Sequence, residues 1–503
     1  AAVSTITGSG VYNIVGDIRA ADGGILTLDL AEGSRFEGKA VLDSGNDSQS
    51  TLTMAKNSLW TLTGNSQLNS LQNEQSVIDM TGDNKAFSTL SVETLTGNGG
   101  TIIMDIDGSQ VDASDKIYVT GDFSGSQTLS LKEINGLDSD PGIGQAAENT
   151  VLASVNGSGT FTADDQEGTL YWQRYELGQK DSAASGYTTD WYLKGITNLN
   201  LPTTSVEAIA ASGALAYHTW RDHDQLLQRL GDLRQHGREE EGVWVRVKGG
   251  KLSRSDQFEF ENKYTQYELG YDQKLKSTPA YTRYAGISFS YLDGDSSYSS
   301  GSGENKVKAL NIYGTQIGAK GHYLDLVLKY SQLDNDFKVF DTSGNKITGD
   351  YDQNGLSISA EYGRKNNLKN NWYIEPQAQL TFGRLRGTDY TTSNGIRVDQ
   401  DGIDSFVGRI GFNIGKDINE KTNIYLKANL MHEFGSGYNA SMVDASGTKA
   451  RLDRNFDDTW FEYGLGAAVQ TGKNNYFYVD VERSAGSDYK KDWQWNVGAR
   501  WSF

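Results

Sequence analysis

The chain has 503 residues, with 58 Gly, 27 Tyr, 10 Trp, 4 Pro and no Cys, and a formal net charge of −19. This length admits more than one domain, and rich Gly and Tyr with little Pro suits many paired strands and turns. The lack of Cys excludes disulfides and thiolate metal sites. No run of roughly eighteen apolar residues occurs, which excludes a transmembrane helix. The mean hydropathy of −0.56 does not exclude a transmembrane barrel, because every second residue of such a wall faces a polar lumen.

Charge is unevenly spread. Residues 1–200 hold 10 Lys/Arg against 26 Asp/Glu, and residues 201–503 hold 36 against 39. An acidic first part without a basic stripe argues against nucleic-acid binding. All five His (His218, His223, His236, His322, His432) lie after residue 200. The first part therefore has no His for a catalytic triad or a metal site, and no metal or other cofactor is expected anywhere. The sequence opens on AAVSTITG, without an initiator Met or an apolar leader. It is expected to be a mature or excised piece.

Residues 1–200 read as short strands broken by Gly, Asn, Asp and Ser. "GGILTLDLAEGSRFEGKAVL", "STLTMAKNSLWTLTGNSQLNSLQ" and "TLSVETLTGNGGTIIMDI" share a strand–turn–strand rhythm of about 20 residues, the spacing of a solenoid rung. A rung cannot bury its apolar side alone and must stack on neighbours, so a β-helix end is expected here. A compact β-sandwich is the alternative.

Residues 204–236 carry the one helical pattern. Thr204 and Glu207 form a capping-box pair at its start. Its first half is small (Ala208, Ala210, Ala211, Gly213, Ala214, Ala216) and its second half is charged (Arg221, Asp222, Asp224, Arg229). Such a helix makes a poor core helix and suits a narrow, polar-walled tube. An ordinary surface linker is the alternative.

From Gly242 the twofold alternation is sustained. Twelve strands are expected near 242–252, 263–276, 281–293, 305–317, 322–340, 350–364, 372–388, 397–417, 422–435, 450–471, 475–485 and 492–503. In "YLDLVLKY", Leu324, Leu326, Leu328 and Tyr330 oppose Asp325, Val327 and Lys329. In "DWQWNVGARWSF", Trp493, Trp495, Val497, Ala499, Trp501 and Phe503 oppose Gln494, Asn496, Gly498, Arg500 and Ser502. Short connections such as "STPA", "GAKG" and "DINEK" alternate with long polar ones such as "DGDSSYSSGSGEN", "NDFKVFDTSGNKITGD" and "GTDYTTSNGIRVDQDG". Sorting of loops by length, with an even strand number, is the signature of an outer-membrane barrel. Trp372, Tyr373, Tyr476, Trp493 and Trp495 are expected in its aromatic girdles. Twelve strands about 4.8 Å apart at a tilt near 40° enclose a backbone diameter of roughly 24 Å. After inward side chains, roughly 12 Å remains, the width of one helix. The helix is thus expected to thread the lumen. Arg246, Lys248, Glu268, Asp272, Glu375, Lys427, Glu462, Asp480 and Arg500 have the inward parity to meet its Arg221, Asp222, Asp224 and Arg229.

Four stretches together resemble a monomeric (type Va) autotransporter, and the rungs around "NSLWTLTGNSQLNSL" look most like those of its self-associating, cell-binding adhesin type. The ending Asn496-Val497-Gly498-Ala499-Arg500-Trp501-Ser502-Phe503 looks like the C-terminal β-signal, carried by Asn496, Gly498, Trp501 and Phe503. "QRLGDLR…GVWVRVKGG" at 228–250 resembles the junction from helix to first strand. "LTGNGGTIIMDID…DKIYVTGDFSGSQTLSL" at 95–131 resembles the last β-helix turns, and "DWYLKG" at 190–195 the end of that autochaperone region. The resemblance implies an all-β fold: the end of a right-handed parallel β-helix over residues 1–200, with an autochaperone over about 85–200. A lumen helix over 201–241 and a 12-stranded antiparallel barrel over 242–503 would follow.

It also implies export and display of the chain's own passenger at the cell surface, with no catalytic role for the chain. The expected partners are outer-membrane lipid and lipopolysaccharide, the barrel assembly machinery and periplasmic chaperones, and other cells or a host surface. Some relatives cut themselves at an Asn in the lumen helix; residues 201–261 contain no Asn, so that chemistry is not expected. The rival readings are a small-solute porin, an enzymatic passenger lying upstream, and a barrel protease. The last would need acid and His groups at the outer rim, whereas His432 is parted from Glu433 by parity and His322 lies at a short turn.

Overall fold

The computed structural model describes residues 3–6, 10–43, 47–82, 86–133, 147–222, 224–230, 241–472 and 474–503. They form two units, the first from residues 1–203 and the second from nearly all of 204–503.

The first unit is a parallel β-solenoid. One sheet stacks Val3–Ile6, Ile25–Leu30, Gln49–Met54, Ser66–Asn73, Thr89–Thr96, Lys116–Phe123 and Val151–Gly157. A second stacks Asn13–Val15, Arg35–Glu37, Leu59–Thr61, Val77–Asp79, Asn98–Ile106, Ser126–Glu133 and Thr160–Ala163. The register places like on like. Leu28 pairs with Leu52, Leu52 with Leu71, Leu71 with Leu95 and Leu95 with Phe123. On the facing sheet Phe36, Trp60, Ile78, Ile102 and Leu129 follow one another in the same way. These side chains are fully buried and make one continuous core. Turns between rungs admit only Gly where backbones touch: a Cβ on Gly125, whose φ is +91°, would lie 2.2 Å from the carbonyl oxygen of Gly97.

The parallel stack ends in an antiparallel hairpin, Tyr171–Asp181 with Thr189–Pro202, which pairs with Val151–Gly157. Its Trp191 meets the ring of Phe161 edge-on at 5.6 Å, and Phe161 stacks on Phe123 at 4.5 Å. The last rungs are thereby closed by aromatic packing worth about 1 kcal/mol per ring pair beyond area burial.

The second unit is a closed antiparallel barrel of twelve strands: β1 (Gly242–Arg254), β2 (Phe260–Ser277), β3 (Tyr281–Tyr298), β4 (Gly301–Gly318), β5 (His322–Phe340), β6 (Lys346–Arg364), β7 (Trp372–Leu385), β8 (Ile403–Asn419), β9 (Thr422–Glu433), β10 (Thr459–Gln470), β11 (Asn475–Ala485) and β12 (Tyr489–Ser502). Each pairs with its neighbours, and β12 closes onto β1 with Val243 opposite Trp501 and Val247 opposite Val497. The outward face of the middle of the wall is apolar all round, as at Leu269, Phe289, Ile312, Leu326, Leu380 and Leu426.

The structure corrects several expectations. The loops expected around 293–305 and 335–350 are largely strand: β2 to β6 run 18 or 19 residues, and only Ser299 and Ser300 separate β3 from β4. About 10 residues suffice to span a membrane, so these strands project beyond it. In the projecting part the polarity inverts. Asp293, Asp295, Asp334 and Asp352 face out, while Leu333, Phe337, Val339 and Tyr351 face in. The strands expected at 397–417 and 450–471 are each broken. Arg397–Gln400 and Lys449–Asn455 join Thr388–Thr391 and Gly437–Val443 in a separate four-stranded sheet between wall strands. Tyr373 and Tyr476, expected in the girdle, are buried on the lumen side, while Trp372 and Trp493 are on the outside. The helix expected as one span over 204–236 is α1 (Thr204–Arg221) and α2 (Leu226–Leu230), with a non-helical break between; residues 231–236 lie outside the described residues.

Asp115 gives the solenoid a pH dependence. Its buried carboxylate accepts the backbone N–H of Ser88 at 2.6 Å and of Asp105 at 2.7 Å, tying two rungs together. Burial pushes its pKa up to about 7 and that of Asp105 up to about 6. A carboxyl whose folded pKa is raised favours folding most below its unfolded value near 4, and that contribution is lost as pH rises through about 7. Denaturation of the first unit should therefore show falling stability between about pH 4 and 7. Asp115→Asn should flatten that slope, because the amide does not titrate.

Candidate functional site: the plugged lumen and its closing seam

The helix α1 lies inside the barrel, where small residues on the helix and on the wall let rings approach closely. A Cβ on Gly213 would lie 2.6 Å from the Tyr438 ring, and one on Gly355 of the wall 2.1 Å from Trp220 Nε1. Ser212 Oγ and the Tyr351 hydroxyl are hydrogen-bonded at 2.8 Å, and the Tyr217 hydroxyl donates to Glu433 at 2.7 Å. His218 stacks on Tyr489 at 4.2 Å and meets Arg254 Nη1 at 2.9 Å.

Charges hold the second half. Arg221 pairs with Glu433 at 3.6 Å and its guanidinium lies 4.6 Å from the Trp460 ring centroid. Asp222 is reached by Lys248 at 3.0 Å and Lys491 at 3.2 Å. Asp224 accepts from Arg246 at 2.6 Å and Lys248 at 3.2 Å, and Arg246 also pairs with Glu268. Arg229 pairs with Asp325 and lies 4.0 Å from the Tyr313 ring centroid. These four helix residues thus meet both sides of the wall. Asp222 and Asp224, two like charges between α1 and α2, are neutralised by the basic wall residues Arg246, Lys248 and Lys491.

Other wall groups of inward parity pair mainly along the wall. Arg500 forms a two-pronged pair with Asp272, Lys427 bonds Asp480 at 2.7 Å, Glu462 meets Lys491 at 3.4 Å, and Glu375 accepts from Gln377 at 2.8 Å. Neighbouring strands put inward residues side by side, so lateral partners are nearer than the axis. Glu361, Glu433, Glu482, Arg409 and Lys491 also belong to this network but were not singled out from the sequence. Arg409 pairs with Glu361 at 3.2 Å, and Lys427 and Lys491 each meet Glu482 at 2.6 Å. Parity places the first four inward. Lys491 escapes parity, because a bulge at Asp492 shifts the register between Lys251 and Leu252 and turns Lys491 into the lumen.

At the seam, Asn496 Nδ2 donates to the Gln228 carbonyl at 3.0 Å and to Asp480 at 2.9 Å. Gly498 lies under the Tyr478 ring, where a Cβ would come within 2.0 Å of Cζ, and the Tyr478 hydroxyl donates to the Arg229 carbonyl at 2.6 Å. Trp501 and Phe503 face outward, and the Phe503 N–H donates to the Glu241 carbonyl at 3.0 Å. One face of the last strand therefore touches the plug and the other the surroundings. Beside the helix lie two cavities of about 50 and 30 Å³.

The arrangement positions a plug in the lumen. Residues 243–482 match the family described as the autotransporter beta-domain, and residues 68–195 match that described as pertactin. The barrel region is similar to an autotransporter beta-domain. It is 28% identical over 545 residues to the probable autotransporter YcgV of Escherichia coli strain K12, covering 100% of this chain and 55% of that protein. It is 28% identical over 544 residues to the pertactin autotransporter of Bordetella bronchiseptica, covering 97% and 56%. To the serine protease Pet autotransporter of Escherichia coli O44:H18 it is 26% identical over 469 residues, covering 90% and 34%. The chain spans about half the length of the first two relatives.

Asp272→Ala tests the packing of the β-domain. It leaves the fully buried Arg500 without its carboxylate, a loss of about 3–5 kcal/mol. The temperature at which the compact gel species converts to the extended one should fall clearly. Removing the exposed Lys306–Glu304 pair by Lys306→Ala should move it little, by under about 1 kcal/mol.

Proposed function

We propose that this chain is the C-terminal part of a type Va autotransporter that displays its own adhesin-like passenger on the surface of a Gram-negative bacterium. The carrying observation is a closed barrel, apolar outside, whose lumen is filled by a helix joined in sequence to a stacked solenoid. A wall of that kind leaves no backbone group unpaired in hydrocarbon. The match of residues 68–195 to the pertactin description supports the surface passenger.

The residues act in stages. The last strand, with Asn496, Gly498, Trp501 and Phe503, is the segment that assembly machinery would recognise. The barrel inserts, the passenger crosses outward as an extended hairpin, and the rungs near residues 85–200 fold first. Each later rung then buries apolar surface on a formed neighbour, at about 25 cal/mol per Å², which biases movement outward without ATP. No Asn lies between Leu201 and Glu261, so the passenger stays attached unless another protease cuts it.

An enzymatic passenger upstream is the second reading, supported by the similarity to a serine protease autotransporter. A small-solute porin is disfavoured by the size of the cavities left beside the helix.

Deleting residues 95–195 from the chain expressed in a Gram-negative outer membrane tests the staged mechanism. The barrel should still migrate compactly unless boiled, while the remaining passenger loses protease resistance. A passenger that stays resistant after the deletion would contradict the autochaperone role.

A further inference from the structure

On the outside of the wall, Phe412 of β8, Ala428 of β9, Tyr463 of β10 and Arg483 of β11 are successive cross-strand partners. Trp493 of β12 lies beyond them, and Val481 sits in the row beneath. The small Ala428 between two large rings leaves an open groove of about 660 Å³. Of the polar residues that line it, Lys427, Glu482 and Gln494 are buried on the lumen side, and Arg483 is exposed, at the end of β11 farthest from the short turns. Two other outward cations at that end, Lys251 and Arg384, are paired, with Glu261 at 2.6 Å and with Asp404 at 2.9 Å. Arg483 has no ion pair or hydrogen bond with any described residue.

Lipid tails are as apolar as the groove, so its apolar floor alone selects no lipid. The selecting contact is the guanidinium, whose planar fork matches a phosphate with two parallel hydrogen bonds, flanked by aromatics at headgroup level. Short turns mark the periplasmic side, so Arg483 faces the outer leaflet. That leaflet is built of a glycolipid with sugar-borne phosphates and several acyl chains.

We propose that this groove binds one lipid A moiety of lipopolysaccharide, with a phosphate on Arg483 and an acyl chain laid over Ala428 and Val481. The site rests on the outer-membrane reading of the barrel and adds to it a defined lipid, a defined contact and a defined place.

The full chain, extracted from outer membranes and stripped of lipid in mild detergent, is titrated with bisphosphorylated lipid A. Retained lipid is read by native mass spectrometry. Arg483→Gln should lower retention about tenfold, the scale of one lost charge-assisted pair. Ala428→Leu should lower it too, with the arginine intact, by filling the floor. Lys308→Gln, an outward cation away from the groove, should change nothing. Dephosphorylated lipid A should bind the unaltered chain as weakly as lipid A binds Arg483→Gln. Equal retention by Arg483→Gln and the unaltered chain, or equal retention of phosphatidylglycerol and lipid A, would overturn the proposal. Unboiled gel mobility is followed in parallel, and an unaltered chain that never migrates compactly would contradict the barrel reading instead.

Discussion

A backbone amide in hydrocarbon has no water to bond, so it must bond the neighbouring strand. Everything in the second unit follows from that requirement. It demands closure, met by pairing β12 with β1 along its whole length. Closure around twelve strands leaves a lumen about one helix wide, and a lumen walled by Arg, Lys, Asp and Glu must be paired or wet. The α1–α2 segment supplies the partners. Its Ala-rich half meets the inward rings of the projecting wall, and its charged half meets the charged belt within the membrane. The inversion of polarity along the strands matches the two halves of one helix to two levels of the same tube.

The solenoid meets the same backbone requirement by stacking. Its strands bond to the rung before and the rung after, so the unit grows by repetition and must be terminated. The antiparallel hairpin at Tyr171–Pro202 performs that termination, with Trp191 and Phe161 covering the end of the Leu and Phe ladder. Asp115 stitches two of these rungs by accepting from both backbones.

Much of this was legible in the sequence because a period of two cannot be satisfied by a helix. The strand at 322–340 and its outward Leu324, Leu326 and Leu328 could be read directly. So could the small-then-charged character of the lumen helix, and Arg246, Lys248, Asp222 and Asp224 as groups that meet. What could not be read depends on three-dimensional context. Ser- and Asp-rich stretches that look like loops extend as strands because their neighbours continue beside them. Tyr373 and Tyr476 read as girdle residues but turn inward. Tyr373 lies over Gly415, where a side chain would collide with its ring. The bulge at Asp492 reverses parity for Lys491, which no periodicity can announce. Asp222, Asp224 and Gln225 are not helical, and basic wall residues pair with both carboxylates, which no helical period announces.

The central claim is that the helix occupies the lumen of its own closed barrel. The chain has no Cys, so thiols placed at Ser212 and Tyr351 are unique. In outer membranes holding Ser212→Cys with Tyr351→Cys, a short bifunctional maleimide should link helix and wall within one chain, and each single variant should not be linked. Two thiols that both react with a monofunctional reagent yet never join would place the helix elsewhere and contradict the account.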